Sequence, residues 1–237
     1  MTTLLLRLAG PMQAWGTQSR FTIRDTGREP SKSGVIGLLC AALGRPRSAP
    51  LDDLVALRMG VRVDREGVVQ VDYHTAGGVH RRGERYGVAI SDAKGRPRTV
   101  VAQRYYLADA DFLVGLEGDD ALLRELDRAL AVPVWPLFLG RKAFVPGVPV
   151  RLPEDPPRGP GIRAEPLEVA LRAYPWPEQR SESEAPPTRR LRMVLDATPD
   201  DSYDVRQDVP VSFDSENRQF RARYVRPDWL DQPEDSV

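Results

Sequence analysis

Tyr73 and His74, with Arg81, Arg82 and Lys94 nearby in the sequence, are residue types that could together catalyse a reaction. Cleavage of RNA without a metal ion needs a base for the 2′-hydroxyl, an acid for the leaving 5′-oxygen and a cation for the phosphorane charge. Histidine, tyrosine and either lysine or arginine can fill these three roles. The cluster therefore permits a metal-independent endoribonuclease. The alternative, which we favour, is that the arginines hold phosphates without any reaction.

Metal and cofactor chemistry finds little support in the sequence. The chain has one cysteine and two histidines, whereas the common zinc sites need about four ligands. It contains no Walker loop and no GxGxxG fingerprint. The carboxylate pairs at 52–53, 119–120 and 200–201 are expected to cap helices and to solvate loops. We therefore expect neither a metal nor a cofactor.

The compartment is indicated by the single cysteine and the N-terminus. Cys40 lies in an apolar run and cannot form a disulfide within the chain, so we expect a buried thiol in a reducing compartment. The N-terminal apolar stretch is short and is interrupted by Arg7, unlike a signal peptide. No run approaches the ~18 apolar residues of a membrane helix. These features predict a cytoplasmic protein that does not contact a membrane.

The loop after the first predicted strand carries side chains that could contact unpaired bases. These are Met12, Gln13 and Trp15. Aromatic rings stack on bases, and amides hydrogen-bond with base edges. On the sequence alone, Trp15 could equally be a core or interface residue.

The start of the predicted helix at residues 31–43 could hold a phosphate. Arg24, Arg28, Lys32 and Ser33 gather near the free backbone N–H groups of its first turn. Gly34 would let a nucleotide approach the backbone. Alternatively, it permits tight packing of the helix against a sheet.

Charge is distributed unevenly along the chain. The net charge is zero, but residues 1–110 hold 17 Lys and Arg against 10 Asp and Glu. Residues 77–104 have a different composition, with six arginines and one lysine against two acids, and we predict that they form a β-hairpin excursion. A basic half suggests a polyanion site on one face. An arginine-favouring genome would also account for the excess of arginine over lysine.

The pattern of elements predicts an α+β fold. Apolar runs predict strands at 3–8, 59–64, 68–74 and 111–117, with a hairpin turn at 65–67. Apolar periodicity predicts helices at 31–43, 51–58 and about 119–131. This order is that of a ferredoxin-like or RRM-like βαββαβ domain with one long insertion, whose final strand we place loosely after Lys142.

We divide the chain at residue 146. Residues 1–146 are predicted to form the ferredoxin-like domain, and 147–237 a Pro-rich arm with a small β-rich C-terminal appendage. The proline density between residues 146 and 187 argues against a helix there. Strands are predicted at 191–195 and 219–225.

Five segments, taken in order, resemble a known family. They are LRLAGPMQAWG (6–16), TGREPSKSGVIGLLCAALG (26–44), DYHT (72–75), YLADADFLVGL (106–116) and the LGRK stretch (139–146). They resemble the CasD subunit of the type I-E CRISPR surveillance complex Cascade, which belongs to the RAMP superfamily. The resemblance covers roughly the first 150 residues, and the C-terminal third shows little that matches.

The resemblance implies a non-catalytic subunit that caps one end of the complex and holds the 5′ handle of the CRISPR RNA (crRNA) in antiviral defence. Its expected neighbours are the large subunit, the terminal copy of the repeated backbone subunit, and target DNA near the guide–target junction. It also implies a protruding thumb hairpin, here at about residues 77–104. A relative in type I-C systems cuts precursor RNA with Tyr, Lys and His residues, which keeps Tyr73, His74 and His80 as an alternative catalytic set.

The expected RNA contacts fall into two groups. The handle is expected to contact Met12, Gln13, Trp15, Arg24, Arg28, Lys32, Ser33, Gly34, Tyr73, His74, Arg141 and Lys142. The thumb is expected to hold nucleic-acid backbone through Arg81, Arg82, Arg85, Arg96, Arg98 and Arg104.

Overall fold

A computed structural model describes residues 1–16, 22–79, 85–86, 99–154, 159–175 and 190–231, with the backbone alone for 78–79 and 85–86. The first strands are β1 (Thr2–Ala9), β2 (Met12–Gln13), β3 (Ile23–Arg24), β4 (Arg58–Arg65), β5 (Val68–Ala76), β6 (Gly78–Val79) and β7 (Arg85–Tyr86). They are followed by β8 (Val100–Ala108), β9 (Asp111–Gly118), β10 (Ile162–Arg163), β11 (Arg190–Ala197), β12 (Asp204–Ser212) and β13 (Gln219–Asp231). The helices are α1 (Lys32–Leu43), α2 (Asp52–Val55), α3 (Asp120–Ala131) and α4 (Leu167–Ala173).

The main sheet has seven strands in the order β10-β1-β9-β4-β11-β13-β12. Its first four strands have the order of a βαββαβ unit, in which β10 is the fourth strand, β1 the first, β9 the third and β4 the second. Successive residues of β1 point to opposite faces, and both faces are buried, which explains the nearly continuous apolar run of this strand. The predicted α+β fold is thus confirmed.

The two long helices pack on one face of this sheet. Alternate residues of β1 and β9 meet the apolar sides of α1 and α3 in one hydrophobic core. Ser31 caps α1 by accepting a hydrogen bond from the Gly34 N–H, and Gly44 ends the helix with a left-handed φ of 70°. Asp119 caps α3 in the same way as Ser31 caps α1. Both helices begin and end within one residue of their predicted bounds.

Strands β4 and β5 do not form the hairpin that we predicted at 65–67. β4 pairs with β9 and β11 in the main sheet, whereas β5 pairs with β8 in a second sheet. Gly67, with a φ of 69°, lies in the connection where the chain passes from one sheet to the other. The predicted turn at 65–67 is therefore present, but it connects strands of two different sheets instead of two strands that pair with each other.

A two-stranded ribbon of β5 and β8 interrupts the βαββαβ order between β4 and β9. The two strands pair along their whole length, from Val68 with Ala108 to Ala76 with Val100. β2 and β3 pair with the other edge of β8. Residues 100–104 of the predicted thumb belong to strand β8 of this ribbon, and the short pair β6–β7 is another described part of it. Arg81, Arg82, Arg96 and Arg98 lie outside the described residues, as do His80 and the side chain of Arg85.

The C-terminal strands extend the main sheet and do not form a separate appendage. β11 pairs with β4, β13 with β11, and β12 with β13. Residues on both sides of our division at 146 share a second core on the other sheet face, where Leu5 and Leu113 meet Leu171 and Leu195. The described residues beyond 146 are therefore part of the same packed unit.

Helix α4 corrects our expectation that the Pro-rich region is extended throughout. It begins after Pro166 and ends before Pro175, so its seven residues avoid the interior position at which proline breaks a helix. Leu167 and Leu171 pack directly against Gly60 and Gly115 of the sheet, where an added Cβ would lie 2.6–2.7 Å from a leucine methyl group. These glycines let the helix approach the sheet closely.

Strand β12 was not predicted because its sequence, DVRQDVPVS, is charged and contains Pro210. β12 lies at the edge of the sheet, where a residue without a backbone N–H is tolerated. Irregular register on both sides of Val209 and Pro210 accommodates the proline.

Candidate nucleic-acid interface

Three arginines from separate parts of the chain meet on one face of the second sheet. Arg24 of β3 and Asp72 of β5 are both register partners of Arg104 in β8, so the three side chains share one row. Arg141 approaches the same strands from the loop after α3, donating to the Tyr105 carbonyl oxygen at 2.8 Å. We call Arg24, Arg104 and Arg141 the arginine cluster.

Arg141 is fixed in place by the backbone. Its Nη2 also donates to the carbonyl oxygens of Arg24 and Asp25, at 3.2 and 3.5 Å. Its guanidinium lies over the Phe144 ring, 5.4 Å from the centroid. The partners of the Arg141 guanidinium are thus carbonyl groups and an aromatic ring. Among the described residues, no carboxylate forms an ion pair with it.

The arginine cluster carries excess positive charge. Burial lowers the pKa of Arg141, and the charges of Arg104 and Arg24 lower it further, although Asp72 and Asp25 oppose them. Among the described residues, the buried Nε of Arg104 has no hydrogen-bond partner. A buried donor without a partner is costly. The cluster is therefore suited to an anion that accepts from guanidinium groups, such as a phosphate.

Tyr73 and His74 lie on opposite faces of the second sheet because they are consecutive in β5. His74 shares its face with Asp72, whose Oδ2 is 3.6 Å from His74 Nδ1. Tyr73 is 68% exposed and shares the other face with Val71, which is also exposed. This alternation was readable in the sequence once 68–74 was predicted as a strand. It keeps the two side chains from converging on one phosphate.

The N-terminus of α1 is occupied by a carboxylate of the chain itself. Asp208 Oδ2 accepts a hydrogen bond from the Lys32 backbone N–H at 2.8 Å, and Ser31 Oγ accepts from the Gly34 N–H. The Lys32 side chain is buried, with Nζ 2.7 Å from the Leu57 carbonyl oxygen and 3.0 Å from Asp196 Oδ2. Our prediction that Lys32, Ser33 and Gly34 hold a phosphate is therefore wrong, since an internal anion fills that position.

Gln13 and Trp15 are buried, which contradicts our prediction that they contact bases. The Gln13 amide donates to the carbonyl oxygens of Leu8 and Ala110, and its Oε1 accepts from Trp15 Nε1. These bonds satisfy the polar atoms of both side chains inside the core. Met12 packs against the same core and is half-buried.

The Trp15 ring explains why glycine stands at position 34. A Cβ at Gly34 would lie 2.8 Å from Trp15 Cε3, whereas a Cβ at Gly37, in the same helix, would meet only Phe213 at 3.9 Å. We expect Gly34→Ala to lower the free energy of unfolding by about 1–3 kcal/mol through overpacking. Gly37→Ala should raise it by about 0.5–1 kcal/mol, because alanine favours a helix. Urea unfolding of both variants measures this, and equal effects of the same sign would contradict the packing argument.

The other cations predicted to bind the handle are on the surface. Arg28 is exposed and lies 3.8 Å from Glu66, a weak ion pair. Lys142 is exposed and follows Arg141 directly. Arg104, which we assigned to the thumb, lies in the middle of β8 and belongs to the arginine cluster instead.

The described residues contain neither a cluster of metal ligands nor a membrane-spanning helix. No group of three or more His, Cys, Asp or Glu side chains in the described ranges could hold a metal ion. No helix in this part of the chain is long and apolar enough to cross a membrane.

An α+β domain with an interrupted βαββαβ order and a cluster of three arginines is typical of nucleic-acid-binding proteins. The profile described as CRISPR-associated protein (Cas_Cas5) matches residues 3–226. The chain therefore belongs to this CRISPR-associated family, and the resemblance to CasD found in the sequence is confirmed.

Individual relatives agree with this assignment. The chain is 36% identical over 156 residues to the CRISPR system Cascade subunit CasD of Escherichia coli (strain K12), a match that covers 59% of this chain and 65% of that protein. It resembles a solved "CRISPR RNA-guided surveillance complex" chain with a TM-score of 0.77 and 39% identity, over 98% of this chain and 91% of the other. A structure described as a Cas protein matches with a TM-score of 0.72 and 43% identity, over 97% and 95% of the two chains.

Proposed function

We propose that this chain is a non-catalytic subunit of a CRISPR RNA-guided surveillance complex and that it binds the 5′ handle of the crRNA at one end of that complex. The observation that carries the proposal is the arginine cluster, whose charge no described ion pair neutralises. Exposed Arg28 and Lys142 would extend the phosphate-binding surface from it. Tyr73 would meet a base on the opposite sheet face, and His74 a phosphate on the face of the cluster.

The proposed partners are the crRNA, the large and backbone subunits of the complex, and target DNA near the guide–target junction. The thumb arginines are proposed to contact this junction, and in the chain they lie between strands β5 and β8. Binding without cleavage is favoured because Tyr73 and His74 face away from each other. A cleavage site needs its acid and its base within hydrogen-bond reach of the same substrate atoms.

Arg104→Glu should weaken binding of crRNA that carries its 5′ handle by about tenfold or more, because charge reversal repels a phosphate that the cluster held. The slope of log affinity against log salt should also become shallower. Arg24→Glu, at an exposed position, should act in the same direction without affecting the fold. Filter binding at several salt concentrations measures both quantities, with the purified chain and with the assembled complex.

Arg124→Glu is the matched control, because Arg124 is an exposed arginine on α3 whose ion pair among the described residues is with Asp120. Its RNA affinity should equal that of the unchanged chain. Unchanged affinity in both Arg24→Glu and Arg104→Glu would remove the arginine cluster from the interface.

The catalytic alternative is tested with labelled CRISPR repeat RNA in EDTA, resolved on a denaturing gel. We expect intact RNA after incubation with the chain. A specific cut that His74→Ala abolishes would identify a metal-independent nuclease and overturn the proposal.

A further inference from the structure

The outer half of the main sheet carries exposed aromatic side chains on strand β13 and next to β12. Val205 of β12 lies opposite Tyr224 of β13, and Phe220 is four residues before Tyr224 on the same face. Tyr203 adjoins this row, with its N–H donating to the Val225 carbonyl oxygen. Their exposed fractions are 82% for Tyr203, 50% for Val205, 39% for Phe220 and 40% for Tyr224. We call these four residues the C-terminal patch.

The patch is uncovered because α4 reaches only part of this face. Arg226 and Asp228, on the same side of β13, pair with Glu168 and Arg172 of α4. Beyond these pairs, no described helix packs closely on β13, and the Lys32 end of α1 contacts β12 through Asp208. Large aromatic side chains left uncovered in a row indicate an interaction surface.

The net charge around the patch is negative, although the Arg218 guanidinium lies over the Phe220 ring, 5.2 Å from its centroid. Segment 198–231 holds eight acidic side chains against five arginines. Asp200 and Asp201 form the turn just before Tyr203, and Glu216 lies in the turn just before β13. Asp200 and Glu216 form no ion pair with any residue in the described ranges. Such a surface repels the phosphates of a nucleic acid and attracts cations.

We infer that the C-terminal patch is a docking surface for another protein, with an apolar centre that meets the aromatic row and Lys or Arg side chains that meet the acids at both ends. Tyrosine and phenylalanine at the centre of an interface typically contribute most of its binding energy. The inference rests on the proposed function only in supposing that the partner is a protein subunit of the same complex. It assigns the patch a role separate from the arginine cluster, which lies on the second sheet.

Photocrosslinking in the assembled complex tests this inference. The chain, with a benzoylphenylalanine in place of Tyr224, is co-expressed with crRNA and the other proteins of its complex, irradiated, and analysed by mass spectrometry. The expected adduct joins position 224 to another subunit, at an apolar segment that contains Lys or Arg. The same photoreactive residue in place of Val132, which is 81% exposed on a different element, is the control and should not give this adduct.

Substitution measures the strength of the contact. Phe220→Ser with Tyr224→Ser should reduce retention of the crosslinked subunit by about tenfold or more, and Asp200→Lys with Glu216→Lys should act in the same direction. RNA affinity and the melting temperature of the chain should not change. This readout separates the two proposals, since Arg104→Glu affects RNA and these variants affect a protein.

Several results would overturn the inference. An adduct with RNA, an adduct only with a second copy of this chain, or no adduct at position 224 would each do so. A loss of RNA affinity in Phe220→Ser with Tyr224→Ser as large as that in Arg104→Glu would show that RNA uses this face.

Discussion

Arg62→Met is expected to destabilise the chain by about 3–5 kcal/mol, because it removes one partner of a buried ion pair. The Arg62 side chain is fully buried and pairs with Asp64, with Nε 2.6 Å from Oδ1. Its Nη1 donates to the carbonyl oxygens of Leu171 and Tyr174, where α4 ends. The substitution therefore leaves a buried carboxylate and the last carbonyls of a helix without their donor. Urea unfolding followed by circular dichroism measures the loss.

The destabilisation should depend on pH. Burial raises the pKa of Asp64, and the charge and hydrogen bonds of Arg62 oppose that rise. Without Arg62 the pKa rises further. A carboxyl group whose pKa is raised by folding favours the folded state at low pH, and this advantage is lost as pH rises through the folded pKa. The stability difference between the variant and the unchanged chain should therefore shrink as pH falls.

The control for this prediction is Arg124→Met, which breaks an exposed ion pair with Asp120 on the surface of α3. Its unfolding midpoint should match that of the unchanged chain at every pH, because solvent screens an exposed pair. If Arg62→Met were as mild as this control, Arg62 would not hold α4 on the sheet.

Asp208→Ala is expected to cost about 3–5 kcal/mol as well, because it leaves a nearly buried arginine without one of its carboxylates. Both oxygens of Asp208 accept from Arg223, and Oδ2 also accepts from the Lys32 backbone N–H. One side chain thus joins the edge of the sheet to the start of α1. Urea unfolding gives the total loss, and limited proteolysis should show earlier cleavage within 204–231.

Two further variants make this prediction specific. Asp208→Asn keeps a hydrogen-bond acceptor of the same size without the charge, so its stability should lie between those of Asp208→Ala and the unchanged chain. Asp204→Ala removes an exposed carboxylate from the same strand and should cost less than about 1 kcal/mol. Equal losses of stability in Asp204→Ala and Asp208→Ala would contradict the prediction. The contacts of Asp208 with Arg223 and with α1 would then add nothing measurable to stability.

Local signals explain which parts of the fold the sequence predicts. Ser31 and Gly44 delimit α1 because each satisfies backbone groups within its own turn. The leucines of α3 and the apolar run of β1 repeat with the period of their element. These interactions join residues close together in the sequence, so the bounds of both helices could be predicted.

The predictions of site residues that were wrong or incomplete depend on interactions between residues far apart in the sequence. A lysine at the start of a helix indicates a phosphate site unless its partner is known, and the partner of Lys32 is Asp196, 164 residues away. The arginine cluster was only partly predicted, because the register of β3, β8 and β5 places Arg104 beside Arg24. Burial of Gln13 and Trp15 likewise depends on Ala110, far along the chain.

The position of β11 beside β4 has a consequence for synthesis of the chain. Roughly 125 residues separate the end of β4 from the start of β11. At about 5–20 residues per second, the second edge of β4 stays unpaired for about 6–25 s on the ribosome. An unpaired strand edge can pair with another chain and so start aggregation. The nascent chain is therefore exposed to aggregation at β4 until β11 emerges and pairs with it.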